Sequence, residues 1–197
     1  VKRIPETPKA AAPAQGGFLH RYPRYCLVLV GLVFLFISHV VLNSFTYQIV
    51  VYKGGDSAQM GKAMAFASLL ELPIMFLFGR MQKKVRCHVW FRISGLFFLL
   101  KTAGTLLCST MGGFFAVQLF QMGGWALMTV SSVFYINSIM EPRDSVKGQA
   151  CYTTSMTLGN VLGAILDVLG VPAMLVFGTV CALVGAVIVL VFTQKTE

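Results

Sequence analysis

Charged residues are scarce in this sequence, and their scarcity excludes an ordinary soluble domain. Asp, Glu, Lys and Arg make up 12% of the 197 residues, whereas a soluble domain carries about 25%. No charged residue lies between Arg24 and Lys53, and further charge-free segments span residues 102–140, 148–166 and 168–194. About 20 predominantly apolar residues cross the hydrocarbon core of a bilayer as a helix. The segments therefore predict membrane spans.

The apolar segments also lack the alternation of polar and apolar residues that a membrane β-barrel requires. Only α-helices and closed barrels satisfy every backbone polar group inside a bilayer. We therefore expect an all-α integral membrane protein with six transmembrane helices. Their predicted positions are about residues 24–50, 57–80, 90–109, 112–139, 147–169 and 171–193.

The remaining segments predict the domain organisation. Residues 1–23 are polar, basic and rich in Pro and Ala, which is typical of a cytoplasmic linker rather than a span or a signal peptide. Residues 24–194 form the predicted six-helix transmembrane domain, and residues 195–197 a cytoplasmic tail. Because the first residue is Val, we expect the sequence to begin inside a longer chain.

Cysteine patterns that would indicate a disulfide framework or a metal site are absent from the sequence. The five cysteines are odd in number and show no metal-ligand spacing. Most fall inside predicted spans, where a thiol acts as a small apolar residue. We expect no metal and no cofactor. The net charge of +9 does not indicate a nucleic-acid partner, because the basic residues sit in short segments between apolar runs.

The distribution of Lys and Arg predicts the orientation of the chain in the membrane. Thirteen of them fall in the N-terminal flank, the 80–92 loop, the 140–147 loop and the C-terminal tail, against two on the opposite side. Since basic loops stay in the cytoplasm, both termini are predicted to be cytoplasmic. The predicted location is a cell membrane, either the plasma membrane or the inner membrane of a bacterium.

Four sequence segments resemble the C-terminal half of a major facilitator superfamily transporter of the sugar-transporter-like branch. Leu-Glu-Leu-Pro-Ile-Met at 70–75 resembles the eighth helix of that family, and residues 79–84 occupy the place of its basic loop motif. The acidic residue and the following glycine of that motif are absent, so the resemblance does not extend to a gating salt bridge there. Residues 118–121 resemble the tenth helix, and 135–150 the junction into the eleventh.

The resemblance implies secondary active transport by alternating access, with a substrate site near the bilayer midplane between two six-helix halves. It also implies that each half consists of two three-helix units in inverted repeat. The implied partners are a small-molecule substrate, a proton, the lipid bilayer and the missing N-terminal half. In this family the first, second, fourth and fifth helices of a half line the cavity.

Glu71 and Lys101 are charged residues that lie well inside predicted spans, away from the span ends. An ionised side chain costs about 2.5 kcal/mol or more at that depth, and such groups are usually functional. Each lies nine residues from a basic residue at the predicted inner boundary, so both sit about 13 Å deep. Glu71 is interpreted as a proton-coupling residue or as one half of a structural ion pair. Lys101 is its expected partner, and alternatively holds an anionic substrate or extends toward the interface.

The predicted fourth helix carries a polar stripe that indicates a cavity or a helix contact. Gln118, Gln121, Trp125, Thr129 and Ser132 recur at spacings of three and four residues and share one face. Amides beside an indole suit a hydroxyl-rich or heterocyclic ligand. Interhelical hydrogen bonding, worth about 0.6 to 2 kcal/mol for each contact, is the structural alternative.

Two further helices carry candidate cavity residues. Asn160 lies near mid-depth in the fifth helix, where Gly159 and Gly163 predict close helix packing. In the first helix His39, Asn43 and Tyr47 share a face. His39 and Asn43 are candidate cavity residues, although a lone histidine in a helix more often makes a packing hydrogen bond.

These features favour a transporter half that moves a small polar solute, with a drug or multidrug exporter of the same superfamily as the alternative. A non-transporting membrane scaffold is a third possibility, but its spans would be expected to lack polar stripes. An enzyme is not expected, because the sequence has neither paired aspartates nor a Ser/His pair at matched depth, and no phosphate-binding glycine motif.

Overall fold

All regular structure in the computed structural model, which describes residues 17–196, is helical. The predicted all-α architecture is therefore confirmed for these residues. The α-helices in chain order are α1 (Phe18–Arg21), α2 (Pro23–Ser44), α3 (Thr46–Tyr52), α4 (Ser57–Lys84), α5 (Cys87–Leu107), α6 (Met111–Val117), α7 (Leu119–Gln121), α8 (Leu127–Ile139), α9 (Pro142–Ala164) and α10 (Val171–Phe192). A π-helical turn, Met122–Ala126, joins α7 to α8, and a 3-10 turn, Ile165–Leu169, follows α9.

Five helices in the described range are long and apolar enough to cross a membrane. They are Pro23–Ser44, Ser57–Lys84, Cys87–Leu107, Met111–Ile139 and Val171–Phe192. Five of the six predicted spans thus have this property, and the protein has the helical composition of a membrane protein. The remaining predicted span corresponds to α9, which has 23 residues but is more polar than the others.

The helix ends have local causes in the sequence. Asp56 and Gln59 form a capping box in which the Asp56 carboxylate accepts the Gln59 N–H and the Gln59 amide accepts the Asp56 N–H. Pro142 occupies the first turn of α9, where a missing N–H costs nothing. Gly170 separates the last two helices at φ +73°, a conformation that favours glycine.

Two predicted helices are interrupted. The first ends at Ser44 and a short second helix begins at Thr46, whose hydroxyl donates to the backbone carbonyls of Leu42 and Asn43 at 2.6 and 2.9 Å. The predicted 112–139 helix divides at Gln118 and again at the π turn. The whole Met111–Ile139 segment is called the bent helix below.

The helices pack in two groups that are joined by a contact between α5 and α10. In the first, α2 packs against α9 and α10; in the second, the bent helix packs against α4 and α5; and α5 packs against α10. Gly159 and Gly163 form the α9 side of the contact with α2, as predicted, since a Cβ at Gly159 would lie 2.7 Å from the Val33 carbonyl oxygen. A Cβ at Gly185 of α10 would lie 2.7 Å from the Gly31 carbonyl oxygen of α2. These glycines let the backbones approach closely.

Candidate functional site

Gln121 bridges the two charged residues predicted to interact within the membrane. The Lys101 ammonium donates to Gln121 Oε1 at 2.5 Å, and Gln121 Nε2 donates to Glu71 Oε1 at 2.6 Å. Glu71 and Lys101 make no direct ion pair within residues 17–196, although their charges interact. The sequence permitted a direct contact between Glu71 and Lys101, and the structure instead has the Gln121 amide between them. We call these three residues the polar bridge.

Burial makes the polar bridge energetically important. Lys101 and Gln121 are each only 6% exposed, whereas Glu71 is half-buried. An unpaired charge in such surroundings would carry a large desolvation cost. The neutral amide offers an acceptor to the ammonium and a donor to the carboxylate, so both ionised groups are satisfied. Glu71 is the most exposed of the three residues in the polar bridge.

A close approach of α5 to the bent helix brings Lys101 beside Gln121. Gly123 has no side chain where the Phe97 ring of α5 packs, and a Cβ there would overlap that ring. Gly124 faces the α5 backbone, because a Cβ added there would lie 3.7 Å from the Phe98 N atom. The two glycines fall within the π turn that directly follows Gln121. Single π turns inside α-helices occur frequently at functional sites.

His39 of α2 and Trp125 of the π turn stack beside the bridge. Their ring centroids are 4.3 Å apart with an interplanar angle of 5°. The Asn43 amide lies 3.0 Å from the His39 ring nitrogens and donates to its backbone carbonyl at 2.9 Å. The charge of Lys101 also acts on the His39 ring. Four of the predicted residues on three helices are thus brought together, and one face of the indole proposed to stack on a ligand is occupied by His39.

Three aromatic residues that sequence reasoning missed complete this cluster. Phe36 lies edge-on to Trp125, Phe98 and Tyr152, with ring centroids 6.3, 6.4 and 5.8 Å apart. In the sequence these three aromatic residues look like ordinary core residues of helices. No sequence pattern therefore indicated that they pack beside the site. Their packing holds the indole in place.

The other predicted candidates do not join the polar bridge through any contact described in residues 17–196. Gln118 is 2% exposed, and its Oε1 has no hydrogen-bond partner in that range. Asn160 is half-buried on α9 beside Gly159, at the contact with α2. Tyr47 is 52% exposed and lies in α3, after the break that separates α3 from the helix that carries His39.

A second polar cluster, also missed from sequence, ties the start of α2 to the start of α9. Arg21 forms an ion pair with Asp144 at 2.8 Å, and the Tyr22 hydroxyl donates to the same carboxylate at 3.2 Å. The Tyr25 hydroxyl donates to the Gly148 carbonyl at 2.9 Å. Asp144 is 2% exposed. These contacts join helices more than 100 residues apart in sequence, which no local pattern indicates.

The segment after α10 packs against the start of α5 instead of extending freely. Arg92 Nη2 donates to the Thr193 carbonyl at 2.5 Å, and Arg86 Nη1 donates to the Thr196 carbonyl at 3.1 Å. The Thr196 N–H donates to His88 Nδ1 at 3.1 Å. Thr196, in the predicted 195–197 tail, is therefore docked against α5, and Glu197 lies outside the described residues.

Comparisons with protein-family models and with curated proteins find no match for this chain. The candidate site is therefore defined by its geometry alone: a buried lysine and a half-buried glutamate joined by an amide, beside a stacked histidine and tryptophan.

Proposed function

We propose that this chain is the C-terminal six-helix half of a major facilitator superfamily transporter, which moves a small polar solute by alternating access and couples it to protons. The polar bridge is the observation that carries the proposal. Paired ionisable groups inside a membrane protein are expensive and usually mark a transport or proton pathway. The sequence resemblance at residues 70–84 and 118–150 points to the same class.

The main helix contacts support two related three-helix units. In one unit are α2, α4 and α5, and in the other are the bent helix, α9 and α10. If each helix is replaced by its counterpart in that order, the pattern of contacts stays the same. The contacts of α2 with α9 and α10 become those of the bent helix with α4 and α5, and the contact of α5 with α10 maps onto itself. This pattern is expected of an inverted repeat in a transporter half.

The polarity of α9 supports a sixth span that faces a cavity. Thr153, Thr154 and Thr157 are exposed, and each hydroxyl donates to the carbonyl four residues earlier on the same helix. Backbone bonding lets such a helix enter a bilayer, but a polar face is better covered by water or by another helix than by lipid. A facing half of the transporter would provide both. On this interpretation α9 is more polar than the five other long helices because it lines the transport pathway.

The polar bridge suggests how proton binding drives a conformational change. Neutralising Glu71 by protonation removes the charge that compensates Lys101 through Gln121. A buried lysine without a nearby counter-charge is disfavoured, because a buried charge needs compensation. The protein can avoid this cost by opening the lysine to water or by offering it a substrate oxygen. Proton occupancy of Glu71 would thereby bias the equilibrium between the two access states.

The orientation belongs to the same proposal. The asymmetry of thirteen Lys and Arg against two favours cytoplasmic positions for both ends of the six-helix domain, in a plasma or inner membrane. The basic ends of α4 and α5 would then meet the cytoplasm. The Gly54–Asp56 turn would meet the outside.

Reconstitution of the whole transporter that contains this chain tests the proposal. Proteoliposomes with an imposed pH gradient would be supplied with labelled neutral sugars, nucleosides and a cationic dye. We expect movement of a neutral polar solute that a protonophore reduces at least tenfold. Movement of the dye alone would favour the drug exporter, and absence of movement for every compound class would contradict transport.

A further inference from the structure

We propose that the basic end of α4 binds the headgroup of an acidic phospholipid. A cavity of about 170 Å³ runs along this end of the helix and is lined by Leu77, Arg80, Met81 and Lys84. Arg80 lies nine residues from Glu71, which places it about 13 Å away along the helix axis. The lipid site is therefore separate from the polar bridge.

This surface has a basic part and an apolar part, as a phospholipid has a charged headgroup and apolar acyl chains. Arg80 and Lys84 are both exposed and lie four residues apart, so they project from the same face of the helix. One turn closer to the helix centre, Leu77 is 45% exposed and Phe76 is 82% exposed. Basic side chains can thus contact a phosphate while the apolar side chains contact the acyl chains.

No Asp or Glu among residues 17–196 forms an ion pair with the basic residues at this end of α4. The sequence from Arg80 to Arg92 contains five basic residues and no Asp or Glu. Both ion pairs within the described residues lie elsewhere, in the cluster at the start of α9. A guanidinium binds phosphate through two parallel hydrogen bonds, and an ammonium adds a point charge. A phosphate group would therefore supply the missing counter-charge.

An acidic lipid fits this surface better than the other occupants that share its features. A second copy of the chain would bring further positive charge, since the net charge is +9. Free inorganic phosphate would satisfy Arg80 and Lys84 but would leave Leu77 and Phe76 exposed. A lipid covers the basic and the apolar parts together, and basic clusters at membrane boundaries recognise acidic lipids.

Native mass spectrometry of the delipidated protein in detergent tests this site. Phosphatidylglycerol and phosphatidylcholine with identical acyl chains would be titrated separately, and inorganic phosphate would be added as a competitor. We expect tighter binding of phosphatidylglycerol. The Arg80→Gln/Lys84→Gln variant should lose about thirtyfold in affinity for it, from about fivefold for each basic side chain.

The matched control is Lys62→Gln, which removes an exposed lysine at the opposite end of the same helix and should leave binding within twofold. Equal binding of both lipids, or an unchanged affinity in the double variant, would overturn the proposal. Displacement of the lipid by inorganic phosphate at millimolar concentration would show a phosphate site rather than a lipid site. None of these outcomes depends on transport activity.

Discussion

The Gln121 amide donates a 2.6 Å hydrogen bond to the Glu71 carboxylate, and this contact joins α4 to the bent helix at the depth of a buried lysine. The same amide accepts from Lys101. One neutral side chain thus connects two opposite charges that lie on different helices. Removing any of the three residues affects the other two.

Replacing Gln121 with Leu should destabilise the protein by about 2–3 kcal/mol, because it removes hydrogen bonds to two charged groups and leaves Lys101 without its acceptor. Thermal unfolding in detergent would measure the effect. Gln118→Leu is the control, because Gln118 is equally buried but its Oε1 has no partner in the described part of the chain, and we expect a much smaller loss. Adding Lys101→Met to Gln121→Leu should recover stability; a purely additive loss would argue against the bridge.

The close packing at the π turn predicts the effect of a single methyl group. Gly123→Ala would place a Cβ 2.3 Å from the nearest atom of the Phe97 ring, and such overpacking costs about 1–3 kcal/mol. Gly61→Ala is a matched control on α4, where nothing lies within 4 Å of the added Cβ. That substitution should be neutral or stabilising by up to about 1 kcal/mol. Phe97→Leu should relieve the Gly123→Ala defect, and equal melting temperatures for both alanine variants would refute this packing.

The two ion pairs at the start of α9 should differ greatly in strength. Asp144 is buried and pairs with Arg21, whereas the Glu141–Arg143 pair is exposed on both sides. We expect Asp144→Asn to cost about 2–4 kcal/mol and Glu141→Gln less than about 0.5 kcal/mol. Denaturation midpoints of the two variants give the comparison. A similar shift for both would show that the buried pair does not hold α1 to α9.

The proposed orientation of α9 can be tested by labelling from one side of the membrane. Val146 and Val168 are 77% and 86% exposed near opposite ends of this segment. In a background without native cysteines, Val146→Cys should react only from the cytoplasmic side and Val168→Cys only from the outer side. Labelling of both positions from one side would mean that α9 does not span the bilayer.

Much of the helical architecture follows from local features that the sequence displays. The charge-free segments, the Asp56 cap and Gly170 define where helices begin and end. Glu71 and Lys101 were recognisable because a charge inside an apolar run has few explanations. Their depth could be counted from the helix rise.

The contacts between helices could not be read in the same way. Gln121 was one of five residues on a polar stripe, and its role as the bridge depends on the π turn and on how closely α5 approaches Gly123. Phe36 and Tyr152 look like any core residues in sequence. No local pattern predicts the break at Phe45 that separates Tyr47 from the helix that carries His39.

Transport by Glu71→Gln under an imposed pH gradient tests the central claim most directly. The substitution keeps a side chain of similar size that can hydrogen-bond with Gln121, but it cannot exchange a proton. Glu141→Gln serves as the control, because it makes the same chemical change at an exposed acid outside the polar bridge. We predict that Glu71→Gln reduces gradient-driven transport at least tenfold while Glu141→Gln stays within twofold of the unsubstituted protein. A folded Glu71→Gln variant that transports at the unsubstituted rate would contradict the proton-coupling role.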